Sequence, residues 1–364
     1  MNTVCDTGKC TGCMACVDVC PKRAIHIEDS LREYNAVIDD SLCISCDLCH
    51  QVCQNHREAQ YAEPIQWKQG WRKDPVLRAE SSSGGAASAL SEAFVREYGS
   101  VCSCVFKNGS FTFEFASTVP ETGKFKGSKY VKSNPAGIYR PVKKKLQAGE
   151  KVLFIGLPCQ VQALKLFVGE KLLPNLYTAD LICHGSPSPG LLEQFLHEKE
   201  QVIGQIKHIA FRKNTKFHLY IDKIGAEPER VADTYTYAFL QGLDYTENCY
   251  SCRFACKQRI SDLTIGDSWG SGFPEAQEQQ GISLIMCQSQ KGRELLEKTD
   301  LELFDVDMNA AVSNNKQLLA PSPVPPQREK FFRRYFKTGQ FGKAVSKTYP
   351  WIFLKQKIKK VLLH

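Results

Sequence analysis

Short unbroken apolar runs and helical apolar periodicity alternate through the middle of this 364-residue chain. Val152-Leu153-Phe154-Ile155-Gly156 predicts a buried strand, and Leu157-Pro158-Cys159-Gln160 then opens a helix whose apolar residues include Val161, Leu164 and Phe167. Leu176 to Ile182 predicts a second strand, Cys183-His184-Gly185-Ser186-Pro187 a turn, and Gly190 to Gln201 a helix. Strand, glycine-bearing turn, helix is the punctuation of a parallel α/β sheet. It sets Cys159 and Cys183 at the C-terminal ends of successive strands, where open α/β sheets gather their ligands. Further strands are expected within Val101–Phe115, Ile206–Phe211, Phe217–Ile224 and Ser283–Gln288, and a helix near Gly292–Lys298. Ser81-Ser82-Ser83-Gly84-Gly85 precedes the helix-forming run Ala86–Phe94, which predicts a helix start suited to an anion, although a plain capped helix has the same pattern.

Towards both ends the pattern changes. Residues 1–62 hold only brief apolar stretches such as Ala24-Ile25-His26-Ile27 and read as a small head. Residues 63–80, punctuated by Pro64, Gly70 and Pro75, read as a linker that docks it. Residues 81–320 form the larger domain. Residues 321–364 open on Pro321, Pro323, Pro325 and Pro326, a stiff linker. In the tail beyond, Leu354, Ile358, Val361 and Leu362 recur at helical spacing among lysines. That is a basic amphipathic helix, suited to an anionic membrane surface or a partner subunit, or to packing on the body with a solvated lysine face.

Charge sharpens that division. The net charge is +8, but eleven of the 47 basic residues and one of the 39 acids lie from Gln327 onward. The body is therefore near neutral, which argues against nucleic acid as a partner. Met1-Asn2-Thr3-Val4 leads directly into a cysteine run, and nowhere do the roughly 18 consecutive apolar residues of a membrane span occur. With seventeen cysteines at metal-binding rather than disulfide spacing, a reducing cytoplasm is expected.

The cysteines carry the chemistry. Cys10, Cys13, Cys16 and Cys20 form a Cys-x-x-Cys-x-x-Cys-x-x-x-Cys run, and Cys43, Cys46, Cys49 and Cys53 repeat it 33 residues later. Zinc needs only two Cys-x-x-Cys pairs and would leave thiols over in each run. The double run, with Cys20-Pro21, resembles the bacterial two-cluster ferredoxins, in which the fourth cysteine of each run ligates the other cluster. The resemblance implies one [4Fe-4S] cluster on Cys10, Cys13, Cys16 and Cys53, and a second on Cys43, Cys46, Cys49 and Cys20. A further group, Cys249, Cys252 and Cys256, supplies three ligands and wants a fourth, for which Cys159 and Cys183 are the available donors. Its spacing alone leaves a third cluster, zinc and free thiols open.

Several motifs in one order extend the resemblance: Ser82-Ser83-Gly84-Gly85, Gly127-Ser128-Lys129-Tyr130, Gly156-Leu157-Pro158-Cys159-Gln160, Asp180-Leu181-Ile182-Cys183-His184-Gly185, the Cys249 group and Gly266-Asp267-Ser268-Trp269-Gly270. Together they resemble the beta subunits of coenzyme F420-reducing hydrogenases and dehydrogenases. That resemblance implies FAD, with Ser82, Ser83, Gly84, Gly85 and Lys129 as its contacts. It also implies a third [4Fe-4S] cluster on Cys159, Cys249, Cys252 and Cys256. Leu157 stands where many relatives have threonine. The fold class expected is α+β: a two-cluster ferredoxin-like head, a larger α/β flavin-binding domain and a helical basic tail.

The function expected is an iron–sulfur flavoprotein oxidoreductase. It would exchange a hydride with a small-molecule donor or acceptor and single electrons with ferredoxin or another redox protein. The alternative is an electron-relay subunit without flavin, docked to a larger redox enzyme or membrane complex. No side chain presents itself as a general base, and His184 reads as a structural histidine at a turn.

Overall fold

The two strands that lead into Cys159 and Cys183 are neighbours at the centre of an eight-stranded sheet. The structure, a computed structural model, describes residues 2–362. In chain order the strands are β1 (Ile25–Asp29), β2 (Tyr34–Ile38), β3 (Gln66–Arg72), β4 (Gly99–Lys107), β5 (Ser110–Ala116), β6 (Lys151–Gly156), β7 (Leu176–Leu181), β8 (Ile209–Lys213), β9 (Lys216–Ile221), β10 (Ile224–Gly225), β11 (Leu263–Asp267), β12 (Ser283–Cys287) and β13 (Leu301–Asp305). The large sheet runs β13-β3-β12-β11-β7-β6-β4-β5. Its centre, β4, β6, β7 and β11, is parallel, and both flanks are antiparallel. The α+β class expected from the sequence is the one found.

The apolar runs are unbroken because the central strands are covered on both faces. Val152 and Phe154 of β6 pack with Val161, Leu164 and Phe167 of the Pro158–Val168 helix. Leu153 and Ile155 point the other way, to Leu90 and Phe94 of the Ala86–Glu97 helix. Successive side chains of a strand alternate faces, so one run feeds two cores.

Two segments at the edges differ from the sequence reading. The linker expected over 63–80 is part of the sheet: β3 lies hydrogen-bonded between β12 and β13. Gly70, read as linker punctuation, is there because a Cβ would stand 2.0 Å from the Glu302 carbonyl oxygen. Trp71 packs against Phe273 and Phe304, and Trp67 against the cluster of Leu284 and Met286, so both belong to the body's own core. The tail is also largely core. Phe331, Phe332 and Tyr335 of the Arg328–Thr338 helix, and Phe341 and Val345 of the Phe341–Thr348 helix, are buried with Leu191, Phe195, Phe211 and Tyr235.

The head carries β1 and β2 as an antiparallel pair, with one short helix (Ala15–Val19, Leu48–Val52) in each half. Its backbone repeats along with its sequence. Gly12 and Met14 take left-handed φ values of 69° and 61°, and 33 residues on Ser45 and Asp47 take 53° and 63°. The head does not hang free. Cys13, Ala15 and Val52 share one core with Phe113, Phe154 and Phe167. The Tyr139 hydroxyl donates to the Cys13 carbonyl at 2.6 Å, and the Asp18 carboxylate accepts the N–H groups of Gly137 and Tyr139 at 2.6 and 3.2 Å.

Candidate functional site

Four parallel strands end on one side of the sheet, and the turns after β6, β7 and β11 wall a cavity of about 480 Å³ there. This is the size of a site for a cofactor or small ligand, at the place where open α/β sheets hold one. Ser82, Ser83 and Gly85 line it, and so do Ala86, Ala87 and Ser88 of the helix they introduce. The first-turn N–H groups of that helix have no helical carbonyl to satisfy them. Gly84 does not line the cavity. A Cβ on it would meet the Gly70 carbonyl oxygen at 2.2 Å, so its lack of a side chain lets the turn lie against β3. Lys129 lines the cavity with its ammonium donating to the Phe125 and Lys126 carbonyls at 2.7 and 3.3 Å, and burial lowers its pKa. The Ser128 N–H donates to the Ser82 hydroxyl at 2.9 Å, which joins the two motifs into one wall.

The opposite wall holds residues that the sequence reading gave no role. The Arg212 guanidinium forms a forked pair with Asp267, at 2.7 and 3.1 Å, and also donates to the Tyr130 hydroxyl at 3.3 Å. Phe217 and Trp269 flank it. The Gly266–Gly270 motif contained Asp267 and Trp269, but Arg212 lies in β8, on the small sheet of β8, β9 and β10, with no motif around it. Gln160 repays its place in its motif directly. Leu157 at the helix N-cap has no side-chain acceptor, so the Gln160 carbonyl oxygen reaches back to accept the Leu157 N–H at 2.9 Å, and its amide donates to Ser133 at 2.9 Å.

A second cavity, of about 90 Å³, adjoins the first. Cys159, Cys183, Cys249 and Cys252 line it together. Burial pushes the Cys183 thiol up to about 12 and raises Cys159 and Cys252 as well. Such thiols surrender their protons to a metal rather than to water. Cys256, expected in this set, lies outside the cavity with its thiol donating to the Gln258 carbonyl at 3.0 Å. The chain turns between Cys252 and Cys256, and the neighbouring strand end, β7, delivers Cys183 instead. Five residues, Leu157, Cys183, His184, Gly185 and Ser186, line both cavities. Burial lowers the His184 pKa against the opposing pull of Asp267, which keeps this imidazole neutral.

In the head, Cys10, Cys13, Cys16 and Cys53 are all buried, and Cys53 acts electrostatically on each of the other three. Cys5, absent from the sequence reading, donates to Cys10 and Cys53 and holds both below the usual thiol range. Cys20, Cys43 and Cys49 pack half-buried on the head's core, and Cys46 is exposed. Among the described residues no three of these groups converge on a single-ion site. They form wider cages, as a four-iron cube with a thiolate at each corner requires. The small cavity also touches the head. The Gln54 amide donates to the Thr11 hydroxyl at 2.6 Å and to the Cys159 carbonyl at 3.2 Å.

A repeated cysteine head set against a mixed sheet with a cofactor-sized cavity at its strand ends defines an iron–sulfur oxidoreductase. Residues 149–306 belong to the family formed by the C terminus of the coenzyme F420 hydrogenase/dehydrogenase beta subunit, and residues 9–56 to the 4Fe-4S dicluster domain. The coenzyme F420-dependent sulfite reductase of Methanocaldococcus jannaschii is 26% identical over 325 residues, which are 83% of this chain and 48% of that protein. The chloroplastic 7-hydroxymethyl chlorophyll a reductase of Oryza sativa subsp. japonica is 27% identical over 151 residues, 40% of this chain and 31% of that protein. The chain thus spans half or less of the length of these relatives. Among solved structures, a chain of the F420-reducing [NiFe] hydrogenase complex from Methanosarcina barkeri shares the fold, with a TM-score of 0.50 at 17% identity over 77% of this chain and 95% of that one.

Proposed function

We propose that the chain is an iron–sulfur flavoprotein that exchanges electron pairs with a small hydride donor or acceptor and single electrons with ferredoxin or another redox protein. The observation that carries this reading is the wall shared by the two cavities, which sets four thiols against a space large enough for a flavin ring system. FAD supplies hydride chemistry at its ring, and [4Fe-4S] clusters supply one-electron steps.

The residues present fit these groups. Ser82, Ser83, Gly85 and Lys129 would hold FAD, with its pyrophosphate at the start of the Ala86–Glu97 helix. Gly84 serves them by close packing. Cys10, Cys13, Cys16 and Cys53 would hold one cluster, and Cys43, Cys46, Cys49 and Cys20 the second. Cys159, Cys183, Cys249 and Cys252 would hold the third. Gln54 bridges head and body beside Cys159, so the head's buried thiols face the body and the exposed Cys46 faces an outside partner. The Arg212–Asp267 pair, Tyr130 and Trp269 would shape the end of the cavity open to the hydride partner. The relatives are named as reductases, one of them dependent on coenzyme F420, which supports reduction of a small molecule in the cytoplasm as the setting.

The test is to prepare the protein without oxygen, release its non-covalent cofactor with acid and count iron. Three clusters give about 12 irons per chain, and the supernatant should contain FAD. Folded protein that holds this iron but releases no flavin would make the chain an electron-relay subunit. Colourless protein lacking both iron and flavin would end the proposal.

A further inference from the structure

The Pro350–Leu362 helix is fixed to the body by one face only. Phe353 is buried against the Tyr237 ring, the Gln356 carbonyl oxygen accepts the Ala232 N–H at 3.1 Å, and the Lys360 ammonium donates to Glu227 at 2.6 Å. Positions 353, 356 and 360 share a side at about 100° per residue. The opposite side carries Trp351, Leu354, Ile358, Val361 and Leu362, with exposures of 76, 50, 55, 76 and 79%. A helix that only covered the body would turn these residues inward and its lysines outward. Here the apolar stripe faces away from the protein, and its edges are lined by exposed lysines, Lys355 and Lys359 on one side and Lys357 on the other. The helix contains four lysines and no acid.

We propose that this helix lies in the surface of an anionic lipid bilayer, parallel to its plane, and tethers the protein there. The stripe is convex and about 20 Å long, with no groove beside it to set a partner's shape, which suits a deformable apolar phase. The lysine borders would sit at the level of lipid phosphates, with Trp351 at the interface. A second copy fits poorly, because laying two such stripes together brings the lysine borders of both helices into register. No helix among the described residues is long and apolar enough to cross a membrane, so the contact is with the surface. The tether is independent of the electron-transfer reading, since it uses none of the thiols or cavity residues.

The test is co-sedimentation of the full chain, prepared without oxygen, with vesicles of equal parts phosphatidylglycerol and phosphatidylcholine, and with vesicles of phosphatidylcholine alone. Binding should be about a hundred-fold tighter to the anionic vesicles and should weaken with added salt. The double variant Ile358→Ser/Val361→Ser should stay in the supernatant with its iron content unchanged. Those side chains are exposed, so the fold does not depend on them. Three results would overturn the proposal: no binding to either vesicle, equal binding of the double variant, or a dimer that the double variant abolishes, which would make a second copy the occupant of the stripe.

Discussion

The ammonium of Lys132 donates to the carbonyl of Thr11 at 3.0 Å, across the seam between body and head. Lys132 is 4% exposed, lies beside the Tyr34 ring and, among the described residues, has no carboxylate partner. Its charge acts on Cys10 in the head and on both Cys159 and Cys183 in the body. A buried cation between two thiol cages favours an added electron in either one. Lys132→Met should therefore lower the midpoint potentials of the clusters proposed for those cages, by on the order of 50–100 mV through an effective dielectric constant of about 20. The cluster proposed for Cys20, Cys43, Cys46 and Cys49 should keep its potential, and Lys132→Arg should restore the other two. Redox titration followed by electron paramagnetic resonance makes the comparison. Equal shifts in all three clusters would show a general loss of structure in place of a local charge effect.

Which four thiols form the inner cage is decided by two single variants. Cys183→Ser should remove about a third of the iron, from about 12 to about 8 per chain, and the matching acid-labile sulfide. Cys256→Ser should leave both unchanged, because its thiol is turned to the Gln258 carbonyl outside the cavity. The reverse result would return Cys256 to the ligand set.

These thiols also mark where the sequence is legible and where it is not. The double run and its offset of 33 are local patterns, and the matching left-handed residues Met14 and Asp47 carry them straight into backbone geometry. The strand–turn–helix units around Cys159 and Cys183 are local in the same way. Spacing groups Cys256 with Cys249 and Cys252, however, and only the parallel pairing of β6 with β7 brings Cys183 into their company. β3 was hidden for a similar reason. Its partners, β12 and β13, lie some two hundred residues further on, and Gly70 reads as a break until the Glu302 carbonyl it accommodates is seen. In the tail, phenylalanines spaced among lysines and arginines gave charge as the stronger signal, yet Phe331, Phe332 and Phe341 are fully buried.

Gly84 and Ser82 are two positions apart and should fail differently. A methyl at Gly84 would stand 2.2 Å from the Gly70 carbonyl oxygen and 2.6 Å from the Ser283 nitrogen, both backbone atoms that cannot move cheaply. Gly84→Ala should destabilise the fold by about 3 kcal/mol. Ser82→Ala removes one cavity-lining hydroxyl and its acceptance of the Ser128 N–H, and should cost about 1 kcal/mol while reducing flavin retention. Chemical unfolding without oxygen, paired with flavin content per chain, separates the two. Equal stability losses would mean that the turn has no separate packing role.

Asp244 gives the fold a pH dependence of its own. It is fully buried, neither carboxylate oxygen has a partner in another residue, and this burial pushes its carboxyl up to about 7 against the pull of Arg328. The folded chain therefore keeps a proton that the unfolded chain releases near pH 4. Wherever the folded state binds more protons, stability falls with rising pH, so this group's contribution declines from about pH 4 to about pH 7 and is level above that. Asp244→Asn keeps the shape and removes the titration. The variant should be more stable than the parent by about 2 kcal/mol at pH 8, a few degrees in thermal midpoint, with the gap closing as the pH approaches 4. A gap of the same size at pH 5 and pH 8 would show that the carboxylate is compensated in the folded chain and that its burial has no linkage to pH.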